Sequence, residues 1–487
     1  MDNDVIVIGS GFSSLATACY LQQAGRNVVV LEKNEQLGGR ASVLEEEGFK
    51  FDMGPSWYWM PDIFERFFND FGKEVSDYYQ LKKLSPAYKV FFGKDDVITI
   101  GDSLDKIIET FESIDPESGS KLKKFIDEAK TNYSIAMQEL VYKPGISISE
   151  LVTAETISRL NLFITNITSE VKKITNNEKL QSILEFPVLF LGAKPEKTPA
   201  FYNFMNYADF GKGTWYPEGG MNEIVKAMVS LGKSLGVKYL TNQEVMSIEL
   251  EGKEVSWVET KTNLFHCNLV VSGADYAHTE KLLTPKLRNY KASYWQKKTF
   301  APSAFLYYIG FKGDTEKLAH HNLFFDTDFK AHAKEIYDEK CLPKDPLFYA
   351  NFPSKTDASL APEGMSTAFF LIPVSVDIED DVTMHDNYLD LILKRLEACT
   401  GENLKDRIVY KKSFGVTDFK SRYHSCRGNA YGLANTLLQT SVLRPSIKNK
   451  KIKNLLYTGQ LTVPGPGVPP ALISGKIVSN YIKKKNL

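Results

Sequence analysis

The chain has 487 residues, 43% hydrophobic and 12% aromatic, with a formal net charge of −1, enough for more than one hydrophobic core. Five scattered cysteines, Cys19, Cys267, Cys341, Cys399 and Cys426, have no paired spacing, which argues against a disulfide or zinc framework and fits a reducing cytoplasm. No run of about 18 apolar residues marks a spanning helix, and no recognition module accompanies the basic residues, so nucleic acid is not an expected partner.

In chain order, Val5 to Ile8 reads as a buried strand that runs into Gly9-Ser10-Gly11-Phe12-Ser13-Ser14. The strand starts so early that no targeting segment is expected before it. Gly9 allows a tight turn, Gly11 lets the backbone approach a pyrophosphate, and the following helix points free N–H groups and its positive end at that group. The third glycine of the G-x-G-x-x-G pattern is replaced by Ser14, a position that serves helix-to-strand packing. A second strand, Asn27 to Leu31, ends at Glu32, about 20 residues on, where a carboxylate accepts hydrogen bonds from a ribose. These features predict a bound dinucleotide.

A glycine-rich turn follows at Gly38-Gly39-Arg40, and a short strand ends at Phe51-Asp52-Met53-Gly54-Pro55-Ser56. Residues 61–72 form a predicted helix with Ile63, Phe64, Phe67, Phe68 and Phe71 on one face. Residues 104–185 are mostly helical by pattern, with breaks near Pro116 and at Lys143-Pro144-Gly145. The apolar stretch from Phe186 to Gly192 is too short to span a bilayer; it fits either a buried strand or a segment dipping into an interface.

After Tyr216 the alternation of strand and helix returns. A helix carrying Ile224, Met228, Leu231 and Leu235 follows Gly219-Gly220, and short strands follow at 237–240, 245–250, 255–260 and 268–271. The last of these exits at Ser272-Gly273-Ala274-Asp275. A buried strand is expected from Ala368 to Val376, and the final strand ends at Gly459, before a proline-glycine loop and a helix from about Ala471. The expected fold is therefore α/β: a discontinuous Rossmann-like cofactor domain (1–75, 206–285, 416–487), a helix-rich lobe that meets substrate or membrane (76–205), and an inserted α+β substrate domain (286–415).

From Phe419 to Leu487 there are twelve Lys and Arg and no Asp or Glu, ending in Lys483-Lys484-Lys485. Such a tail is either a solvated end or a means of attraction to anionic lipid. His320, His321 and His332 have no trusted metal-ligand spacing and are expected at the surface, with no metal. His424, beside Arg422, is expected to make an ordinary hydrogen bond near the C-terminal loop, with proton transfer as the sharper alternative. Trp57 and Trp59, and Trp215 before the Gly219 turn, fit either core packing or the lining of a substrate channel.

Taken together, these segments resemble the flavin-dependent amine oxidase and carotenoid desaturase superfamily, and within it bacterial phytoene desaturase-type carotenoid desaturases. The residues that carry the resemblance are Glu32-Lys33-Asn34 with Gly38-Gly39-Arg40-Ala41, and Phe51 to Trp57; Tyr216 to Met221 and Val271 to Asp275 also match. The most specific match is Tyr457-Thr458-Gly459 with Pro464-Gly465-Pro466-Gly467-Val468-Pro469. The resemblance covers essentially the whole chain. It implies FAD, with Gly9, Gly11, Phe12, Ser13 and Ser14 at the pyrophosphate, and Glu32 with Lys33 at the adenine-side ribose. Gly39 and Arg40 would lie along the pyrophosphate and flavin, and Gly54, Pro55, Ser56 and Gly273 would also touch the cofactor. Val245 would meet the adenine through its backbone, and Gly459, Val468 and Ala471 would bracket the flavin ring.

The reaction implied is insertion of a C=C bond into a long polyene. Flavin takes the two electrons, which no side chain can do, so no catalytic residue is singled out. Overall similarity points to 3,4-desaturation of a 1-hydroxylated monocyclic carotenoid, with phytoene desaturation to a lycopene-type product as the alternative. A flavin amine oxidase and a non-enzymatic prenyl-protein carrier are further readings. The expected partners are the carotenoid, a membrane surface reached peripherally from the cytoplasm, and dioxygen or a quinone as electron acceptor.

Overall fold

The computed structural model describes residues 3–138, 140–151, 158–189 and 192–487. Two seven-stranded sheets organise them. In the first, strand Asn3–Ile8 lies between Val28–Leu31 and Leu264–Ser272, and all three run parallel. Lys238–Leu240 extends the sheet beside Val28–Leu31, and Leu455–Tyr457 adds a parallel strand to Leu264–Ser272. Val5, Ile6 and Val7 have no exposed surface, as expected of a parallel strand covered on both faces. The antiparallel strands Val245–Glu251 and Glu254–Thr260 complete the sheet next to Leu264–Ser272.

Three helices cover one face of this sheet. Phe12–Gln23 packs against Asn222–Leu235 and against the C-terminal helix Val468–Lys485. The second crossing is close: a Cβ on Gly475 would lie 2.6 Å from the Ala16 methyl carbon and 2.7 Å from the Ser13 carbonyl oxygen. Glycine is therefore what lets the first and last helices touch. As expected, the cofactor sheet draws its strands from the beginning, middle and end of the chain.

The second sheet is mostly antiparallel, in the order Ile408–Phe414, Ser303–Lys312, Met365–Val374, Phe348–Asn351, His321–Phe324, Tyr88–Gly93, Asp96–Ile100. Its hairpin of Tyr88–Gly93 and Asp96–Ile100 lies inside the stretch expected to be a helix-rich lobe, but joins this sheet by parallel pairing with His321–Phe324. Sequence position misassigned the hairpin because the pairing spans more than 200 residues. The helices Leu104–Ile114, Ser118–Gln138 and Glu178–Leu189 begin within residues 104–185, the stretch read as mostly helical. Phe186–Leu189 ends a helix rather than forming a strand; residues 190 and 191 of that stretch lie outside the described residues. Among the described residues, no helix is long and apolar enough to cross a membrane.

Candidate active site

One cavity of about 480 Å³ runs between the two sheets, within the roughly 300–1,000 Å³ usual for ligand sites. Its cofactor-like half starts where strand Asn3–Ile8 exits. Gly9 takes φ +84°, and a Cβ there would sit 3.2 Å from the Ala274 backbone nitrogen. The turn delivers Gly11 as the N-cap of helix Phe12–Gln23, with no side chain capping the first turn. A Cβ on Gly11 would meet nothing within 4 Å, because that side is the cavity. A second helix N-terminus, Gly467 before Val468–Lys485, opens on the same cavity and is also uncapped by a side chain. Two positive helix ends thus face one space.

Glu32 is 5% exposed and tightly held. One carboxylate oxygen accepts from the Ser10 N–H at 2.9 Å and the Ser10 hydroxyl at 2.6 Å. The other accepts from the Asn34 N–H at 2.8 Å and its amide at 3.0 Å. Ser10 and Asn34, which fix this carboxylate, stand within the motifs quoted from sequence, which assigns neither a role.

Arg40 supplies the charge of the site. It donates to Ser425 Oγ and the Asn429 carbonyl, each at 3.2 Å. The Gln460 side-chain oxygen, in the amide orientation that satisfies its neighbours, accepts from the same guanidinium at 3.0 and 3.1 Å. Its Nε has no partner, and among the described residues no carboxylate lies within salt-bridge distance. Burial lowers its pKa, opposed by the more distant Asp275. A half-buried cation facing a cavity, with no carboxylate within salt-bridge distance among the described residues, calls for an anionic ligand. Two uncapped helix ends, glycine backbones and an unpaired guanidinium together fit a pyrophosphate.

The structure brings Gly9, Gly11, Phe12, Ser13, Glu32, Lys33, Gly39 and Arg40 to the cavity wall, with Gly54, Pro55, Ser56, Val245, Gly273, Gly459, Val468 and Ala471. Ser14 is not on that wall. It is fully buried, and a Cβ on Gly273 would come within 2.0 Å of its Oγ. Its place is in the packing of the first helix on the end of strand Leu264–Ser272. Trp57 and Trp59 line the cavity, but Trp215 does not. Trp215 pairs with Lys83 across a two-stranded ribbon and donates to the Lys212 carbonyl at 3.0 Å.

His424 lies at the Val245 end of the cavity. Its ring stacks on His278 at 4.0 Å and its Nε2 meets Glu244 at 2.8 Å. The three histidines expected at the surface are buried instead: His320 is 5%, His321 0% and His332 5% exposed. His321 belongs to a central strand of the second sheet, stacked on Trp57 at 4.0 Å.

The other half of the cavity is apolar. Trp57 packs on Trp59 at 5.2 Å and on Phe186 and Tyr349 at 5.5 Å each. Phe186 continues the wall to Phe325 at 6.2 Å, and Phe325 to Phe329 at 5.8 Å. Every charged lining residue (Glu32, Lys33, Arg40, Glu244, Asp275 and Arg422) is in the dinucleotide half; the lining drawn from residues 53–60, 186–205, 302–373 and 430–431 contains no Asp, Glu, Lys or Arg. Phe325 and Tyr349 have no signal in the sequence, and Phe186 is read there only as the start of an apolar stretch, because only tertiary contact makes the three a wall.

The family model described as flavin containing amine oxidoreductase matches residues 12–483. A carotenoid 3,4-desaturase of Haloarcula japonica is 44% identical over 478 residues, covering 97% of this chain and 96% of its own. A 4,4'-diapophytoene desaturase (4,4'-diaponeurosporene-forming) of Staphylococcus haemolyticus is 31% identical over 490 residues, covering 98% and 97%. Among solved structures, a putrescine oxidase bound to putrescine superposes with a TM-score of 0.64 at 13% identity, over 99% of both chains, a likeness of fold. With the pyrophosphate cradle and these matches together, the chain belongs to the flavin-containing amine oxidoreductase family.

Proposed function

We propose that the chain is an FAD-dependent carotenoid desaturase, with 3,4-desaturation of a 1-hydroxylated monocyclic carotenoid as its reaction. The observation that carries this is the division of one cavity into a charged dinucleotide half and an aromatic half in which the described lining residues include no carboxylate or cation. A polyene needs such a wall; an amine substrate would meet no Asp or Glu among the described lining residues there. A prenyl-protein carrier without flavin would have no use for the unpaired Arg40. The relative from Haloarcula japonica supports the choice of bond, and the diapophytoene desaturase supports the second reading, phytoene desaturation.

When bound, FAD supplies the acceptor for a hydride leaving the carbon pair that becomes the double bond. The protein residues do the placing. Glu32, locked by Ser10 and Asn34, would receive the ribose hydroxyls, and Gly11, Gly39 and Arg40 the pyrophosphate. Gly54 to Ser56 and Gly459 to Ala471 would hold the ring system between them. Trp57, Trp59 and Tyr349 would keep the polyene in one plane against that ring and exclude water. Trp59 is itself fixed by donating to Thr214 Oγ1 at 2.9 Å.

The same proposal places the enzyme peripherally on a membrane from the cytoplasmic side. Supporting this, Ile146, Ile164, Leu438 and Leu443 are large apolar side chains 48–78% exposed. Their segments adjoin: Gly145 lies against Ser441, and Tyr202, next to Phe201 on which Phe163 stacks, bonds Thr440 at 2.7 Å. Reducing equivalents would leave to dioxygen or a quinone. The deciding experiment supplies the purified, FAD-loaded protein with phytoene or with a 1-hydroxylated carotene and follows pigment spectra. Desaturation of the hydroxylated carotene alone is expected. Lycopene-type colour from phytoene would transfer the assignment to the second reading.

A further inference from the structure

The aromatic half of the cavity holds one imidazole, His332, and that ring has a hydrogen bond to give. Its Nδ1 accepts the Leu347 backbone N–H at 3.1 Å, so in the neutral ring the hydrogen sits on Nε2. Burial, with Arg395 adding to it, keeps the ring neutral by pushing its pKa down to about 4. Nε2 has no partner among the described residues, and Phe325, Phe329, Ala333, Ile336 and Leu347 line the same cavity as His332.

Other buried histidines also leave one nitrogen unpartnered, namely His320, His321 and His385. Their bonded nitrogens face Thr356 Oγ1, the Tyr349 hydroxyl and the Asp380 carboxylate, all able to accept. Each can place its hydrogen there and leave only a lone pair free. None of the three lines the cavity. His332 differs on both counts: its bonded nitrogen must accept, so a bare N–H donor remains in an apolar wall. A hydrocarbon polyene offers that donor nothing.

We propose that His332 Nε2–H donates to an oxygen on the substrate, making it the specificity residue that selects a hydroxyl-bearing polyene over its hydrocarbon counterpart. Tyr337 and Tyr431 line the same cavity and offer hydroxyl oxygens to the alcohol's own proton. This rests on the carotenoid desaturase reading and sharpens it. A site built to hydrogen-bond a substrate hydroxyl rejects the analogue lacking it far more strongly than a greasy pocket rejects a size change.

The test uses purified, FAD-loaded protein with a hydroxylated carotene and its hydrocarbon parent, comparing kcat/KM for each. The wild type is expected to favour the alcohol by about 100-fold or more. His332→Leu should lose most of that ratio through the alcohol alone, leaving the hydrocarbon within about threefold, while flavin content stays unchanged. His332→Gln, which keeps an N–H donor, should retain part of the preference. It also decides the matter should the leucine variant fail to load FAD. A wild type indifferent to the hydroxyl, or variants with an unaltered ratio, would overturn the inference and leave the desaturase reading standing. If the wild type desaturated neither polyene, the desaturase reading itself would fall.

Discussion

The two halves of the cavity are built by opposite means. The FAD half is made largely of backbone: uncapped helix ends, glycine turns and the Glu32 carboxylate held by Ser10 of the first turn and by Asn34. The substrate half is made of side chains delivered by distant elements, with Trp57 from a loop, Phe186 from a helix end, Phe325 from just past strand His321–Phe324 and Tyr349 from the second sheet. A backbone cradle cannot be tuned by single changes without losing its ligand. A side-chain wall can be repainted residue by residue while the cofactor stays in place.

The comparison breaks most completely at Gly11. Gly11→Leu should fill the open side of the turn and give a folded protein without flavin absorbance. Next is Arg40→Met, expected to weaken FAD binding by about 2–5 kcal/mol in an equilibrium titration. Since among the described residues no carboxylate pairs with this guanidinium, the same change should leave the FAD-free form as stable as before, or more so, by thermal denaturation. If both forms were destabilised alike, the charge would be serving the fold and not the ligand.

On the other side of the division, Trp57→Ala should keep full flavin content while kcat/KM for a carotenoid falls by about 10–100-fold. Loss of flavin in that variant would erase the distinction between the halves. A smaller effect concerns Asp209, 2% exposed behind this wall and accepting from Tyr88 Oη at 2.8 Å, whose ring packs on Trp57. Burial pushes its pKa up to about 8. The unfolded chain ionises near pH 4, so the folded state loses relative stability as pH rises from about 4 to 8, by up to about 1.4 kcal/mol per pH unit. Asp209→Asn should remove that slope in denaturation curves across this window. Smallest of all, Trp215→Ala should change kcat/KM by less than about twofold, because its ring stands outside the cavity.

The same division explains what could be read from sequence. The strand–turn–helix at Gly9, the carboxylate at Glu32, Gly39-Arg40 and the loop from Gly459 to Ala471 are short-range geometry, and their positions on the cavity follow from local spacing. Ser14 served packing because its position faces the sheet and not the turn. The histidines misled because pattern alone cannot distinguish a polar residue on the surface from one buried with a single hydrogen-bond partner, a hydroxyl for His320 and His321 and a backbone N–H for His332. Trp57 and Trp215 look alike in sequence, yet pairing of the segment around Lys83 with Trp215 turns one of them away. His332 and Tyr349 carry no signal at all until the second sheet assembles.

The meeting of the first and last helices at Gly475 has a consequence for biogenesis. Residues 9–40 are translated more than 400 residues ahead of their counterparts at 459–471. Complete cofactor capture must therefore wait until residues 459–471 have been made. A nascent chain stalled before Gly459, however well its opening strands have formed, should emerge colourless.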